Sequence, residues 1–184
     1  MNILKNIFKF TSFFLITAYS TQCFSQSSSN DPLANALFTK SDWSVFASET
    51  PKQCWLVSTP KKSVNTKNGR VVEVTRSKIL LYVSFWPDTK NRGEVSFTGG
   101  YPYNKNDIVY LNIDNQKFEL FVPEEGEFAW AKDSAADKEI VSAMKIGVTA
   151  VVTGLSKRGT QTKDTISLIG FTAALQDAEK RCPE

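Results

Sequence analysis

The chain has 184 residues, a formal charge of +3 and no histidine. Without an imidazole there is no Ser-His-Asp triad, no Cys-His nucleophile pair and no histidine-based zinc or iron site. A charge this close to neutral gives no electrostatic case for binding nucleic acid. Composition therefore excludes most familiar hydrolases, and we expect no cofactor and no resident metal.

The N-terminus has the features of a secretory signal peptide. Lys5, without any acidic neighbour, precedes an apolar run from Phe10 to Tyr19, and Cys23 and Ser25 place small residues at −3 and −1 of a cleavage site after Ser25. A retained anchor is disfavoured, because the run is about half the roughly 20 residues that span a bilayer. Lipidation of Cys23 is disfavoured as well, since Gln22 stands where that processing requires a small residue.

Cleavage after Ser25 removes Cys23 and lowers the number of cysteines from three to two. Removing 25 of the 184 residues leaves 159, enough for one domain, and lowers the charge to +1. Cys54 and Cys182 remain in an oxidising compartment, where we expect them to form one structural disulfide. Loop-closure entropy gives such a bridge an upper value of about 5 kcal/mol. A redox-active pair is the alternative, but those pairs are usually C-x-x-C neighbours at a helix start.

Residues 26–37 are predicted to be a polar, flexible leader, followed by a single domain over 38–184. Short apolar segments between turn residues predict antiparallel strands, and their spacing is typical of a sandwich or barrel. Alternation from Val109 to Ile113 gives one buried face. The predicted strands up to Ala131 are Trp43 to Phe46, Cys54 to Ser58, Val71 to Thr75, Ile79 to Phe85, Glu94 to Thr98, Ile108 to Ile113 and Phe118 to Val122.

One helix is predicted near 134–146. Asp133 or Ser134 supplies an N-cap, Ile140 and Met144 lie in an apolar stripe at helical spacing, and Gly147 is a natural terminator. The same stripe takes in Val141 and also Ala136 and Ala143.

Two more strands and a second helix are predicted after Gly147. The strands are Val148 to Ser156 and Thr165 to Gly170, joined by a polar connection from Lys157 to Asp164. A short helix from about Thr172 to Arg181 then leads to Cys182. The predicted fold is a mainly β, antiparallel β-sandwich, immunoglobulin-like or related, with one packed helix and a short C-terminal helix.

Two motifs resemble catalytic ones. Ser142 and Lys145 match the S-x-x-K pattern of penicillin-binding enzymes, on a predicted helix where both share a face. The companion S-D-N and K-T-G motifs are absent, so a solvated Ser and Lys is the better interpretation and a small hydrolase the alternative. Glu124, Glu125 and Glu127 could act as an acid and base on a glycoside, but a turn would leave all three in water. We expect no catalytic residue.

Five aromatic residues stand near turn residues. Rings in such places form a sugar-stacking or protein-binding face, or they fill the core. We predict that Trp55, Trp86 and Trp130 are mainly core, and that Tyr101 and Tyr103, in the Gly-Gly-Tyr-Pro-Tyr segment, form an exposed pair.

Lys157, Arg158 and Lys163 are predicted to lie in a basic hairpin tip. A solvated turn is the commoner interpretation of such a tip, and contact with an acidic partner is the functional alternative. The candidate binding residues are therefore Tyr101, Tyr103, Lys157 and Arg158.

Six segments form one pattern that covers the whole mature chain and ends on the terminal cysteine. They are Asp42 to Phe46, Pro51 to Trp55, Gly93 to Pro102, Arg158 to Asp164, Leu168 to Ala174, and Arg181 with Cys182. Together, and in this order, they resemble the invasion-associated locus B family of exported bacterial proteins, found mainly in alphaproteobacteria.

The resemblance implies a periplasmic or surface-exposed β-sandwich without catalytic residues. Many members carry a further cysteine about where Ala47 stands, and its absence here leaves Cys54 to pair with Cys182. We expect an exported, non-enzymatic binding protein of the periplasm, the outer membrane or the cell surface, with an envelope or surface protein as partner and no transmembrane segment after cleavage. An envelope chaperone or structural protein is the alternative.

Overall fold

The strands of the described part of the chain belong to one antiparallel sheet, and this part is mainly β, with 51% of its residues in strands. The computed structural model describes residues 33–89, 91–124 and 126–183, without the side chain of Asn91. The signal peptide predicted at 1–25, and the leader as far as residue 32, lie outside the described residues.

Twelve strands are present in the described part of the chain, and they pair in the order β1-β2-β3-β6-β7-β10-β9-β8-β11-β12-β4-β5. In chain order they are β1 Phe38–Lys40, β2 Trp43–Glu49, β3 Lys52–Ser58, β4 Lys62–Lys67, β5 Arg70–Val71, β6 Leu80–Trp86, β7 Asn91–Tyr103, β8 Ile108–Ile113, β9 Gln116–Phe121, β10 Gly126–Ala131, β11 Thr149–Leu155 and β12 Gln161–Ser167.

The sheet curves so that its inner face encloses a single core. Buried apolar residues alternate with more exposed ones along the central strands, as in β8, where Val109, Leu111 and Ile113 lie on the core side. Strands far apart in the pairing order approach each other, since the indole Nε1 of Trp43 in β2 donates to the carbonyl oxygen of Ser167 in β12 at 3.0 Å. The predicted β-sandwich class is confirmed at this level.

Two helices complete the core. Helix α1 spans Ser134–Ile146, and its N-cap is Asp133, whose carboxylate accepts two backbone N–H bonds. Gly147 is its C-cap, as the sequence predicts. Helix α2 spans Phe171–Arg181 and packs on β2, where the Phe171 ring meets that of Trp43 edge-on at 4.9 Å.

The C-terminus is fastened to the sheet by the predicted disulfide. Cys182 follows α2 and is bonded to Cys54 in β3, with 6.0 Å between the two Cα atoms. Both residues are 1% exposed. The bridge therefore belongs to the core and is shielded from solvent thiols.

Three local predictions were wrong. The segment from Val71 to Thr75 is not a strand beyond Val71, while the polar strand β4 was missed. The second half of the connection predicted from Lys157 to Asp164 is strand, because β12 begins at Gln161. Glu127, placed in a turn by the sequence, lies in β10.

Candidate functional site

Tyr101 and Tyr103 lie in β7, and the predicted exposed loop does not exist. Their side chains are 9% and 0% exposed, because the strand continues through Gly99 and Gly100 and turns both rings inward. A Cβ at Gly99 would stand 2.8 Å from the Tyr101 ring and 2.5 Å from the Tyr103 hydroxyl oxygen. Gly99 therefore makes room for the two buried rings.

Lys157 and Arg158 lie in the turn between β11 and β12 and are exposed, as predicted. The turn is held by its own backbone, since the Ser156 N–H donates to the Thr160 carbonyl oxygen at 2.9 Å. The backbone N–H of Lys157 also donates to the carbonyl oxygen of Pro102 at 2.9 Å. This bond fixes the turn beside β7, the strand that carries the two tyrosines.

Three of the four predicted binding residues line one cleft of about 330 Å³ at this end of the sheet. Tyr101, Lys157 and Arg158 contribute to its wall, whereas Tyr103 is buried behind Tyr101 and does not. We call this the basic cleft. Its other lining residues are Val74, Thr75, Arg76, Ser77, Gly100, Pro102, Glu127, Ser156, Thr160 and Thr162.

The wall of the basic cleft contains a buried ion pair that the sequence analysis missed. Arg76 and Asp164 have side chains 6% and 0% exposed, and the guanidinium makes two bonds of 2.8 and 2.6 Å to the carboxylate. Arg76 also donates to the Gly99 carbonyl oxygen at 2.7 Å and to Asn65 at 3.2 Å. Because its charge is neutralised by Asp164, this arginine supports the wall and adds no net charge to the cleft.

Tyr101 forms the inner surface of the basic cleft. Its hydroxyl shares a 2.6 Å hydrogen bond with Thr162 Oγ1, and its ring lies 5.1 Å from the Arg76 guanidinium carbon. Burial raises the pKa of the Tyr101 hydroxyl, so it stays protonated at neutral pH. The ring of Tyr103 packs edge-on against that of Tyr101 at 4.8 Å.

The tryptophans predicted as core are instead half-exposed. Trp55, Trp86 and Trp130 lie on the outer face of the sheet, on three different strands. Together with Tyr82 and Phe128 they line a groove of about 410 Å³, which we call the aromatic groove. The two sets of rings are therefore the reverse of the prediction, with the two tyrosines inside and these three tryptophans outside.

The S-x-x-K residues do not form a nucleophile and base. The Ser142 hydroxyl donates to the Lys138 carbonyl oxygen of its own helix at 2.7 Å. Ser142 and Lys145 are both exposed on α1. This is the geometry of a solvated helical serine.

Glu124 and Glu127 are also exposed, and Glu125 is outside the described residues. In the described part of the chain no group of three or more Asp, Glu or Cys side chains is arranged to hold a metal ion. Helices α1 and α2 are too short and too polar to cross a membrane, and no other described helix would do so.

Comparison with known proteins confirms the family resemblance. The model of the family described as invasion associated locus B (IalB) protein matches residues 43–179. The fold is similar to that of a solved structure titled crystal structure of invasion associated protein b from Bartonella henselae, with a TM-score of 0.50 and 18% sequence identity over 80% of this chain and 98% of the other. No curated protein matches the sequence significantly. The chain belongs to the invasion associated locus B family.

Proposed function

We propose that this chain is an exported, non-enzymatic binding protein of the cell envelope that contacts an acidic segment of a partner protein through the basic cleft. The observation that carries the proposal is the meeting of Tyr101 with Lys157 and Arg158 in one cleft, although the tyrosine is more than fifty residues away in the sequence. A concave surface with a few converging polar groups is the usual form of a recognition site.

The charges of the basic cleft favour an acidic partner. Lys157 and Arg158 are exposed at its mouth, Glu127 lies on the same lining, and the charge of Arg76 is already neutralised by Asp164. The hydroxyls of Ser77 and Thr160 supply neutral hydrogen-bonding groups beside the two cations. Rim charges of this kind mainly speed association and select the sign of the partner.

A binding role also fits the lack of catalytic geometry. Ser142 is bonded to its own helix, and Glu124 and Glu127 are exposed to solvent. Among the described residues, neither candidate motif therefore presents an activated nucleophile or a buried proton donor.

The test is in-cell crosslinking of the oxidised mature protein, followed by mass spectrometry. Lys157→Ala/Arg158→Ala is compared with Lys132→Ala/Lys180→Ala, which removes the same charge from exposed positions outside the cleft lining. One abundant envelope partner lost only in the first variant supports the proposal, and its affinity measured with purified components should fall as salt is raised. Equal capture by both variants would contradict it.

Export is tested separately. Osmotic-shock fractionation should place the protein in the periplasm, and N-terminal sequencing should begin at Gln26 if cleavage follows Ser25. Recovery with the cytoplasmic fraction and an intact N-terminus would refute export without bearing on the basic cleft.

A further inference from the structure

We propose that the aromatic groove binds an uncharged saccharide chain, a function separate from that of the basic cleft. The groove crosses strands β3, β6, β7 and β10 on the outer face of the sheet. Its rings are partly exposed, and the most exposed of them is Phe128, at 36%.

The strand register places the rings around two small residues. Trp55 lies opposite Ser84, and Tyr82 lies opposite Ser96. Ser96 lies in turn opposite Trp130 on the next strand. Because outward side chains alternate along each strand, the two serines form a low floor between taller aromatic walls. This difference in side-chain height leaves a trough into which the flat face of a sugar ring can fit.

The walls are held in place by other rings. Trp55 is stacked on Phe46, with centroids 5.7 Å apart and planes within 11° of parallel. Phe128 lies between Tyr82 and Trp130, at 6.1 and 5.6 Å. Side chains fixed by such contacts lose little conformational entropy when a ligand stacks on them.

The chemistry of the lining matches a neutral polyol. A pyranose presents an apolar C–H face and a rim of hydroxyls, and the groove offers aromatic faces with the hydroxyls of Ser84 and Ser96 and the amide of Gln53 between them. Among the described residues that line the groove, Glu94 is the one charged side chain, and none is a lysine or an arginine. The lining therefore offers no cation to a phosphorylated, sulfated or carboxylated ligand, and this composition favours an uncharged sugar.

The test measures tryptophan fluorescence during titration of the mature protein with maltohexaose, cellohexaose and chitohexaose at up to about 5 mM, the range in which weak sites saturate. Trp130→Ala and Trp55→Ala each remove one stacking ring, and we expect roughly tenfold weaker binding in each. Tyr110→Ala removes a ring from another strand outside the groove lining and should bind like wild type. Lys157→Ala/Arg158→Ala should also bind normally, so that failure of the two proposals is distinguishable.

Far-UV circular dichroism checks that each variant folds. If a groove variant unfolds, saturation-transfer NMR on the wild-type protein still decides the matter, because the sugar C–H protons should receive the strongest transfer. The proposal is overturned if none of the three hexasaccharides binds, if both groove variants fold and bind like wild type, or if only a sulfated hexasaccharide or a decaproline peptide saturates the fluorescence change. It is also overturned if sedimentation shows that the wild-type chain is a dimer and that Trp130→Ala is a monomer, because the groove would then be occupied by a second copy of the chain.

Discussion

Replacing Arg76 by methionine should destabilise the fold strongly. Methionine keeps part of the apolar stem, but it leaves the buried Asp164 carboxylate with the Ser63 hydroxyl, at 2.6 Å, as its remaining side-chain partner among the described residues. Removing one member of a buried ion pair costs about 3–5 kcal/mol, which is comparable to the total stability of a small domain. The substitution also removes the hydrogen bond from Arg76 to the Gly99 carbonyl oxygen, and this bond anchors the segment before β6 to β7.

Urea unfolding of the oxidised protein, followed by far-UV circular dichroism, measures this cost. Adding Asp164→Asn to Arg76→Met removes the buried charge, so the double variant should recover part of the loss, with a coupling of about 1–3 kcal/mol. Arg181→Met is the matched control, because its ion pair with Asp177 lies on the surface of α2 and should contribute about 0.5 kcal/mol or less. A cost below about 1 kcal/mol for Arg76→Met, or additive effects in the cycle, would refute the reasoning.

Three further changes have defined outcomes. Cys54→Ser/Cys182→Ser should lower the free energy of unfolding by up to about 5 kcal/mol, since the bridge joins residues 128 apart; an equal urea midpoint for variant and wild type would contradict this. Burial raises the pKa of Asp137, so the folded protein binds its proton more tightly than the unfolded chain, and stability is lost as pH rises from about 3.8 through the folded value. Asp137→Asn should therefore gain stability over wild type as pH rises from 4 to 7 in a urea series, and a constant difference would count against it. Tyr101→Phe should cost about 1 kcal/mol by removing the hydrogen bond to β12, whereas Tyr103→Phe should be neutral or stabilising in thermal melts, since that buried hydroxyl has no hydrogen-bond partner among the described residues; equal losses would be the contrary result.

Local signals predicted the helices well. The boundaries of α1 depend on Asp133, whose side chain caps the first turn, and on Gly147 at the other end, so the residues that define them are neighbours in sequence. The alternation from Val109 to Ile113 likewise identified β8, because one buried face leaves a period of two in the chain itself.

The orientation of the aromatic residues depends on distant partners and could not be predicted in this way. Tyr101 turns inward because Gly99 leaves space for it and Thr162 on β12 accepts or donates its hydroxyl bond. Trp55 faces outward because β3 has its opposite face on the core, where Leu56 is 0% exposed. Both residues are large aromatic rings near turn residues, so their neighbours in the sequence do not show which one faces inward.

The buried ion pair was missed for a related reason. Asp164 lies on the same inward face of β12 as Thr162 and Ile166, and a buried charge at that position requires a partner. The predicted strand began at Thr165 and therefore left Asp164 out. Arg76 lies outside any strand, between β5 and β6, and nothing in its neighbours indicates that it reaches β12. The exposed cations of the basic cleft were therefore predicted, whereas the buried ion pair that supports its wall was not.

The position of the disulfide has a consequence for proteolysis. Because the bond joins Cys54 to Cys182, a single cut at any exposed loop between them leaves two fragments that are still covalently connected. The turn of Lys157 and Arg158 is such a loop, with a sequence that trypsin-like proteases cleave. A nicked molecule would keep its mass on a non-reducing gel and separate into two pieces only after reduction, so cleavage at the mouth of the basic cleft would leave the protein as one covalent unit.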